Sequence, residues 1–457
     1  MMRFFKFLMA TPPADEMVAD EAIARTYNRK RWSVFISIYI AYAAYYIVRD
    51  DLTVSSPYLI KYYGFDKATI GFILSLLAIS YGISKFLMGS LADKANPRYY
   101  IALGLLGSSF LNFMFGATTN KYMMMLLVVL MGIFQGMGAP AAHKTLAAWF
   151  SNRERGTYIS IWNTSHNVGG GLVPLIVTAT IALLGISHWQ NVFFVPSIIS
   201  IILAVIVIVL GEDTPESVGL PPINEYHHEE IVTTTVDYYH LPLMTIVKEC
   251  ILKRPFIWLL AIANAAVYIA RYGIENWIPI YLHTMKGFSL AQARTCFSIY
   301  EFAAIPGTIL IGIISDKVFK GKRSKIGALL IFLLGLVFTG YWFTQAKGLV
   351  YCEVALMGIL VYGPQMLITA LAIDLVPRFA VGSTDGFVGL FGYIFGEVIA
   401  SYVIGALVDK TGWIASFWTI IIATVLSLIC FMFLIRAEKT IKNQLNDIYA
   451  RLEKMAK

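Results

Sequence analysis

Charge is what this sequence has least of. Asp, Glu, Lys and Arg make up 14% of its 457 residues while 58% are hydrophobic, and the mean hydropathy is +0.68. A soluble domain carries about a quarter charged residues, so this balance excludes one. Cysteine is as scarce: Cys250, Cys296, Cys352 and Cys430 stand singly, which excludes a disulfide framework or a cysteine metal cluster and leaves them as packing residues. His227 and His228 are adjacent but have no third ligand at useful spacing, so no metal is expected. No nucleophile and base recur at workable spacing, and neither an enzyme nor a cofactor is expected. The N-terminal "MMRFFKFLMATPPADE" has too short an apolar run for a signal peptide and no small-residue cleavage pattern; it is expected at the membrane surface.

What is present is apolar sequence in long runs. Twelve segments are each long enough to cross roughly 30 Å of hydrocarbon as a helix. They lie near 33–56, 67–90, 99–117, 121–149, 156–184, 190–210, 255–282, 291–314, 326–345, 349–376, 381–408 and 412–435. Lys and Arg concentrate in the connections on the N-terminal side, as Arg25, Arg29, Lys30 and Arg31 do before the first span. The bias puts both termini in the cytoplasm. It also accounts for the net charge of +8 without nucleic acid.

The chain repeats itself. "GSLADKANPR" follows the second span and "GIISDKVFKGKR" the eighth, both reading Gly-x-x-x-Asp-Lys, with Gly89 and Asp93 matched by Gly312 and Asp316. Arg49 in "YYIVRD" and Arg271 in "VYIARYG" fall into nearly the same register. A duplicated six-span unit follows, giving an N-terminal segment 1–32, a bundle 33–210, a polar cytoplasmic linker 211–254, a second bundle 255–435 and an amphipathic tail 436–457 with Ile441, Leu445, Ile448 and Leu452 at helical spacing. The expected fold is all-α and integral to the membrane, with two six-helix bundles related by a pseudo-twofold axis. Asp93 and Asp316 are expected to cap helix ends or pair with cations, holding one access state until the halves rock.

An arginine near the bilayer centre costs about 2.5–3.5 kcal/mol, so two at equivalent positions ask for an explanation. Tyr42, Tyr46 and Arg49 share one helix face, and so do Tyr268 and Arg271, placing phenols beside each guanidinium. A planar cationic fork matches phosphate or carboxylate oxygens. An anion clamp with one arm per half is the functional reading; its alternative for Arg49 is snorkelling to the outer headgroups. Left empty, such a clamp holds two unneutralised arginines, which disfavours closure and makes the protein an exchanger. Lys85 reads as a substrate ligand or a snorkelling lysine, and Lys144 as snorkelling in preference to substrate contact. His166, with Asn163 on the same face, reads as a ligand for a titrating phosphate or as an interhelical hydrogen bond, beside the close-packing Gly169, Gly170 and Gly171. Glu301, Asp374, Asp385 and Glu397 stand as ion partners or proton-coupling acids.

The motifs "YAAYYIVRDD", "YGISKFLMGSLADKANPR", "GIFQGMGAP", "NRERGTYISIWNTSHNVGGG", "VYIARYGIENW", "YEFAAIPGTILIGIISDKVFKGKR" and "VYGPQMLI" together resemble the organophosphate:phosphate antiporter family of the major facilitator superfamily. The resemblance implies exchange of an organic phosphate for inorganic phosphate, by a protein working as a monomer in the inner membrane. It assigns Arg49 and Arg271 to the phosphate and Lys85, His166, Tyr42, Tyr46, Tyr268, Asn163, Tyr362 and Tyr393 to the same path. The first expectation for the ester is glycerol-3-phosphate, with hexose-6-phosphate and phosphoglycerate as alternatives. Asp50, Asp51 and the "GAPAAHKT" around His143 and Lys144 depart from the family pattern. Receptors that bind a phosphate ester and signal without transporting it also resemble this family, and form the reading from another class.

Overall fold

The computed structural model describes residues 8–227 and 243–440, other than 93, 152–153, 320–321 and 378–379, together with Ile448 and Arg451. Asp93, the linker stretch 228–242 with His228, and most of the tail therefore lie outside the described residues, as do the side chains of Asp316 and Asp374.

Twelve helices are long and apolar enough to cross a membrane, in the places where the apolar runs put them. Among the described residues these are α1 (Asp20–Tyr63), α2 (Lys67–Ala92), α3 (Pro97–Ala117), α4 (Lys121–Gln135) continued by α5 (Gly138–Trp149), α6 (Arg155–Leu184) and α7 (Asn191–Leu210). After the linker come α8 (Pro255–Glu275) continued by α9 (Ile278–Met285), α10 (Leu290–Lys317), α11 (Arg323–Phe343) and α12 (Lys347–Asp374). The last two spans are α13 (Val381–Phe391), which runs through π-helical turns into α14 (Ile404–Thr411), and α15 (Ile414–Glu438). Helix starts follow local chemistry. Asn96 accepts from the Arg98 amide ahead of Pro97, Asn120 accepts from Tyr122 and Met123, and Ser289 with Gln292 forms a capping box, each satisfying donors that the helix cannot. Ile198, Ile202, Val205 and Val209 of α7 are exposed, as are Trp418, Ile422, Val425 and Met432 of α15. Such apolar flanks suit contact with lipid.

The chain forms two compact units, Met1–Tyr58 with Ile79–Val232, and Leu59–Ala78 with Thr233–Lys457. In the first, residues 9–18 are tied into the structure. Thr11 donates its amide to Asp213 Oδ2 at 2.6 Å, Asn96 reaches Thr11 Oγ1 at 2.8 Å, and Ala14 and Val18 bond to the carbonyls of Glu216 and Gly219. Burial pushes the Asp213 carboxyl above its ordinary range. Lys144 donates to the carbonyls of Ala92 and Ala95 at 3.2 and 2.6 Å. A cation on the last carbonyls of α2 complements the helix dipole, so Lys144 fastens the turn that carries the repeated motif.

Close approach sets the packing of the arginine-bearing helix in each unit. In the first unit a Cβ on Gly169 of α6 would collide with the Ala43 carbonyl of α1 and come 2.9 Å from the Tyr46 Cβ. In the second, a Cβ on Gly396 would meet the Tyr268 Cβ and lie 2.7 Å from the Ala265 carbonyl of α8. Only glycine admits such backbone contact. Gly396 sits in π-helical turns spanning Gly392–Glu397, followed by Ile399–Val403. Hydrogen bonds tie the turn after α8 to this stretch, from Asn276 to Ser401 Oγ at 2.9 Å and from Trp277 to the Ala400 carbonyl at 2.8 Å.

Candidate functional site

In the first unit, Arg49 is 4% exposed. Its guanidinium lies over the rings of Tyr81 and Tyr46, 4.5 and 5.5 Å from their centroids. A cation buried between aromatic faces is held by ring quadrupoles, and here the side chain turns into the bundle instead of reaching for a surface. Tyr46 also sits 5.2 Å from the ring of His166, which is itself buried. From Tyr46 a track of rings continues through Tyr42 at 5.5 Å and Trp162 at 4.5 Å to His143 at 4.9 Å. Arg49, Tyr46 and Tyr42 thus share one face of α1 as the helix periodicity implies, and His166 of α6 meets them at Tyr46. Lys85 is half-buried on α2, and Asn163, although on the same helix as His166, is exposed. Tyr81 was not singled out from the sequence; its only signal is a place four residues before Lys85 in "YGISK".

Asp51 is fully buried two residues beyond Arg49. Its Oδ2 accepts from Asn112 Nδ2 at 2.6 Å, and that amide also lies 3.1 Å from Ser197 Oγ. The family departure at Asp51 is therefore part of a packed polar joint among α1, α3 and α7, a position where a buried acid needs such donors.

In the second unit, Arg271 is 2% exposed and more heavily engaged. Its Nη1 donates to Gln365 Oε1 at 3.0 Å, and its Nε pairs with Glu275 Oε2 at 3.1 Å. The guanidinium lies over Tyr362 and Tyr272, at 4.3 and 4.6 Å. Gln365 in turn donates to the Tyr268 hydroxyl at 3.3 Å, and Tyr268 meets the ring of Tyr393 edge-on at 5.3 Å. The Tyr362 hydroxyl donates to Glu301 Oε1 at 2.6 Å and is 3.5 Å from Glu275 Oε2. Tyr268, Arg271, Tyr362 and Tyr393 thus form one cluster, with Glu301 joined through Tyr362. Glu397 is buried in the π-helical turns beside α8.

Three members of this cluster were missed in sequence, the first being Tyr272, which directly follows Arg271. Gln365 stands inside the quoted "VYGPQMLI", and Glu275 stands four residues after Arg271 in "RYGIEN", the spacing at which an acid and a base meet on a helix. Glu275 changes the electrostatics, because Arg271 already has a buried counterion. The second half therefore does not present the bare cation that the sequence reading supposes. Of the motif residues, Gly312 is half-buried on α10 and Gly89 half-buried on α2.

Each unit therefore buries one arginine within a tyrosine cage, on a helix gripped by a glycine of a neighbour. Residues 34–396 match the model of the Major Facilitator Superfamily, and the chain belongs to that superfamily. It is similar to the glycerol-3-phosphate transporter of Bacillus subtilis (strain 168), 40% identical over 424 residues covering 91% of this chain and 95% of that protein. It is also similar to the phosphoglycerate transporter protein of Salmonella typhimurium (strain LT2), 39% identical over 417 residues covering 90% of each. The motif resemblance to the organophosphate:phosphate antiporter family is borne out by these relatives. Among solved structures, a bacterial homolog to the human lysosomal transporter Spinster, inward-facing and unoccupied, matches with a TM-score of 0.71 at 16% identity, over 91% of this chain and 98% of that one; this likeness establishes the fold. The protein is a multi-pass membrane transporter and not an enzyme.

Proposed function

We propose that this protein exchanges an organic phosphate ester for inorganic phosphate by alternating access, with Arg49 and Arg271 as the two phosphate ligands. It works as a monomer in the plasma membrane, the inner one where there are two, with both termini cytoplasmic. The observation that carries the reading is the matching burial of one arginine per repeat, at 4% and 2% exposure, each under tyrosine rings. Burying an arginine in a membrane span is costly, and a planar cation among phenol donors suits a phosphate group of charge about −1.5 to −2 near neutral pH. His166 and Lys85 in the first unit, and Tyr268, Tyr362 and Tyr393 in the second, complete the ligand set; Asn163 belongs to the same path by sequence. Glycerol-3-phosphate is the first ester proposed, in view of the relatives, with phosphoglycerate and hexose-6-phosphate as the competing esters.

The test is uptake of labelled inorganic phosphate into proteoliposomes loaded with phosphate, with the three esters as competitors. Exchange lost in both Arg49→Ala and Arg271→Ala, with insertion intact, supports the two-arginine site, and the strongest competitor names the ester. Normal exchange by Arg271→Ala overturns the site, while binding without exchange by the folded wild-type protein replaces transport with sensing.

A further inference from the structure

Phosphate binding by Arg271 leaves Glu275 without a task, although its side chain is only 3% exposed. Buried carboxylates in membrane spans are costly and tend to serve a function. The Glu275 Oε2 atom lies 3.1 Å from Arg271 Nε and 3.5 Å from the Tyr362 hydroxyl. On the other side of the guanidinium, Nη1 is held by Gln365 at 3.0 Å. The guanidinium carbon also lies over the rings of Tyr362 and Tyr272, 4.3 and 4.6 Å from their centroids. What Glu275 occupies is the Nε edge, one of the edges by which arginine grips a carboxylate or a phosphate. A carboxylate oxygen there stands where a phosphate oxygen would bind.

We propose that Glu275 is a stand-in anion, holding Arg271 while the site is empty and yielding it to phosphate when substrate arrives. The inference rests on the reading of Arg271 as a phosphate ligand. Two consequences follow from charge alone. Phosphate must displace a competitor fixed to the same helix, which weakens its binding. The empty carrier, moreover, keeps no unneutralised cation in its second half, so the barrier to its return is lowered and net flux accompanies exchange. A purely structural ion pair predicts neither.

The test uses purified full-length protein and labelled inorganic phosphate, read as equilibrium binding and as the ratio of phosphate-stimulated exchange to net efflux into phosphate-free medium. Glu275→Gln keeps the shape of the side chain and removes its charge. It is expected to bind phosphate at least about tenfold more tightly, since a hydrogen bond to a charged group is worth about tenfold or more, and to raise the exchange-to-efflux ratio. Glu275→Asp keeps the charge but draws it back by one methylene, so its affinity falls between the two. The order Gln above Asp above Glu supports the stand-in role. A supporting role in packing gives Glu above Gln above Asp, and that order, or no change, overturns it. If Glu275→Gln does not insert, Asp against Glu decides by the same order. Arg271→Ala separates the two levels. Loss of phosphate binding there with an unchanged Glu275→Gln leaves the ligand reading standing and removes the stand-in, whereas wild-type binding by Arg271→Ala removes both.

Discussion

At the scale of single residues, the two halves solve the problem of a buried arginine differently. Arg49 rests on aromatic faces next to a titratable ring, whereas Arg271 has a carboxylate, an amide and two phenol rings around it. Tyr362 joins both functions of the second cluster, because its ring covers Arg271 at 4.3 Å while its hydroxyl satisfies Glu301 at 2.6 Å. Tyr362→Phe keeps the ring and leaves a buried carboxylate without this donor. A hydrogen bond to a charged group contributes about 1.5–3 kcal/mol, so the variant should melt at a lower temperature in detergent and exchange phosphate more slowly. Tyr268→Phe, which removes a neutral acceptor for Gln365 at 3.3 Å and not a donor to a carboxylate, should lose less stability. Equal melting of both variants and the wild type would show that the Tyr362 hydroxyl stabilises nothing. The arginines and tyrosines were legible in sequence because charge in an apolar run is conspicuous and helical spacing says which groups share a face. Tyr81 and Gln365 were not, because their partners come from other helices and no spacing along one helix connects them.

At the scale of elements, the placement of each arginine depends on how closely its helix can be approached. Gly169 packs on the backbone of α1, and Gly396 packs on that of α8. A valine at either place forces two helices apart. Overpacking a tight contact costs about 1–3 kcal/mol, and it should shift Tyr46 with Arg49, or Tyr268 with Arg271. Gly169→Val and Gly396→Val are therefore expected to lower both melting temperature and phosphate affinity, whereas Gly156→Val, where a Cβ meets nothing within 4 Å, should lower neither. Phosphate-affinity losses that are the same at all three positions would remove the link between packing and site. The twelve spans were readable from hydropathy because a backbone crossing lipid must satisfy its own hydrogen bonds. The π-helical turns at Gly392–Glu397 and Ile399–Val403 were not, because they answer to the fit against α8 and not to the apolar run. The roles of Lys144 and of residues 9–18 were hidden for the same reason: each bonds to backbone carbonyls or amides far away in sequence.

At the scale of the whole molecule, the orientation proposed from Lys and Arg assigns every connection to one side of the membrane. Twelve crossings return the chain to its starting side, so the turn between α3 and α4 and the end of α15 must lie on opposite sides. Thr119 is exposed in that turn and Lys439 is exposed just beyond α15, which makes the pair a direct reporter. Cys352 is the one exposed native thiol among the described residues, and replacing it with serine removes the background. In that protein Thr119→Cys should react in intact cells with a membrane-impermeant maleimide, and Lys439→Cys only after permeabilisation. The reverse pattern inverts the orientation and exchanges the sides assigned to the connections. Labelling of both in intact cells is incompatible with an even number of crossings between a cytoplasmic start and end. The expected pattern follows from the positive connections facing the cytoplasm, where the membrane potential and anionic lipid headgroups both favour cationic groups.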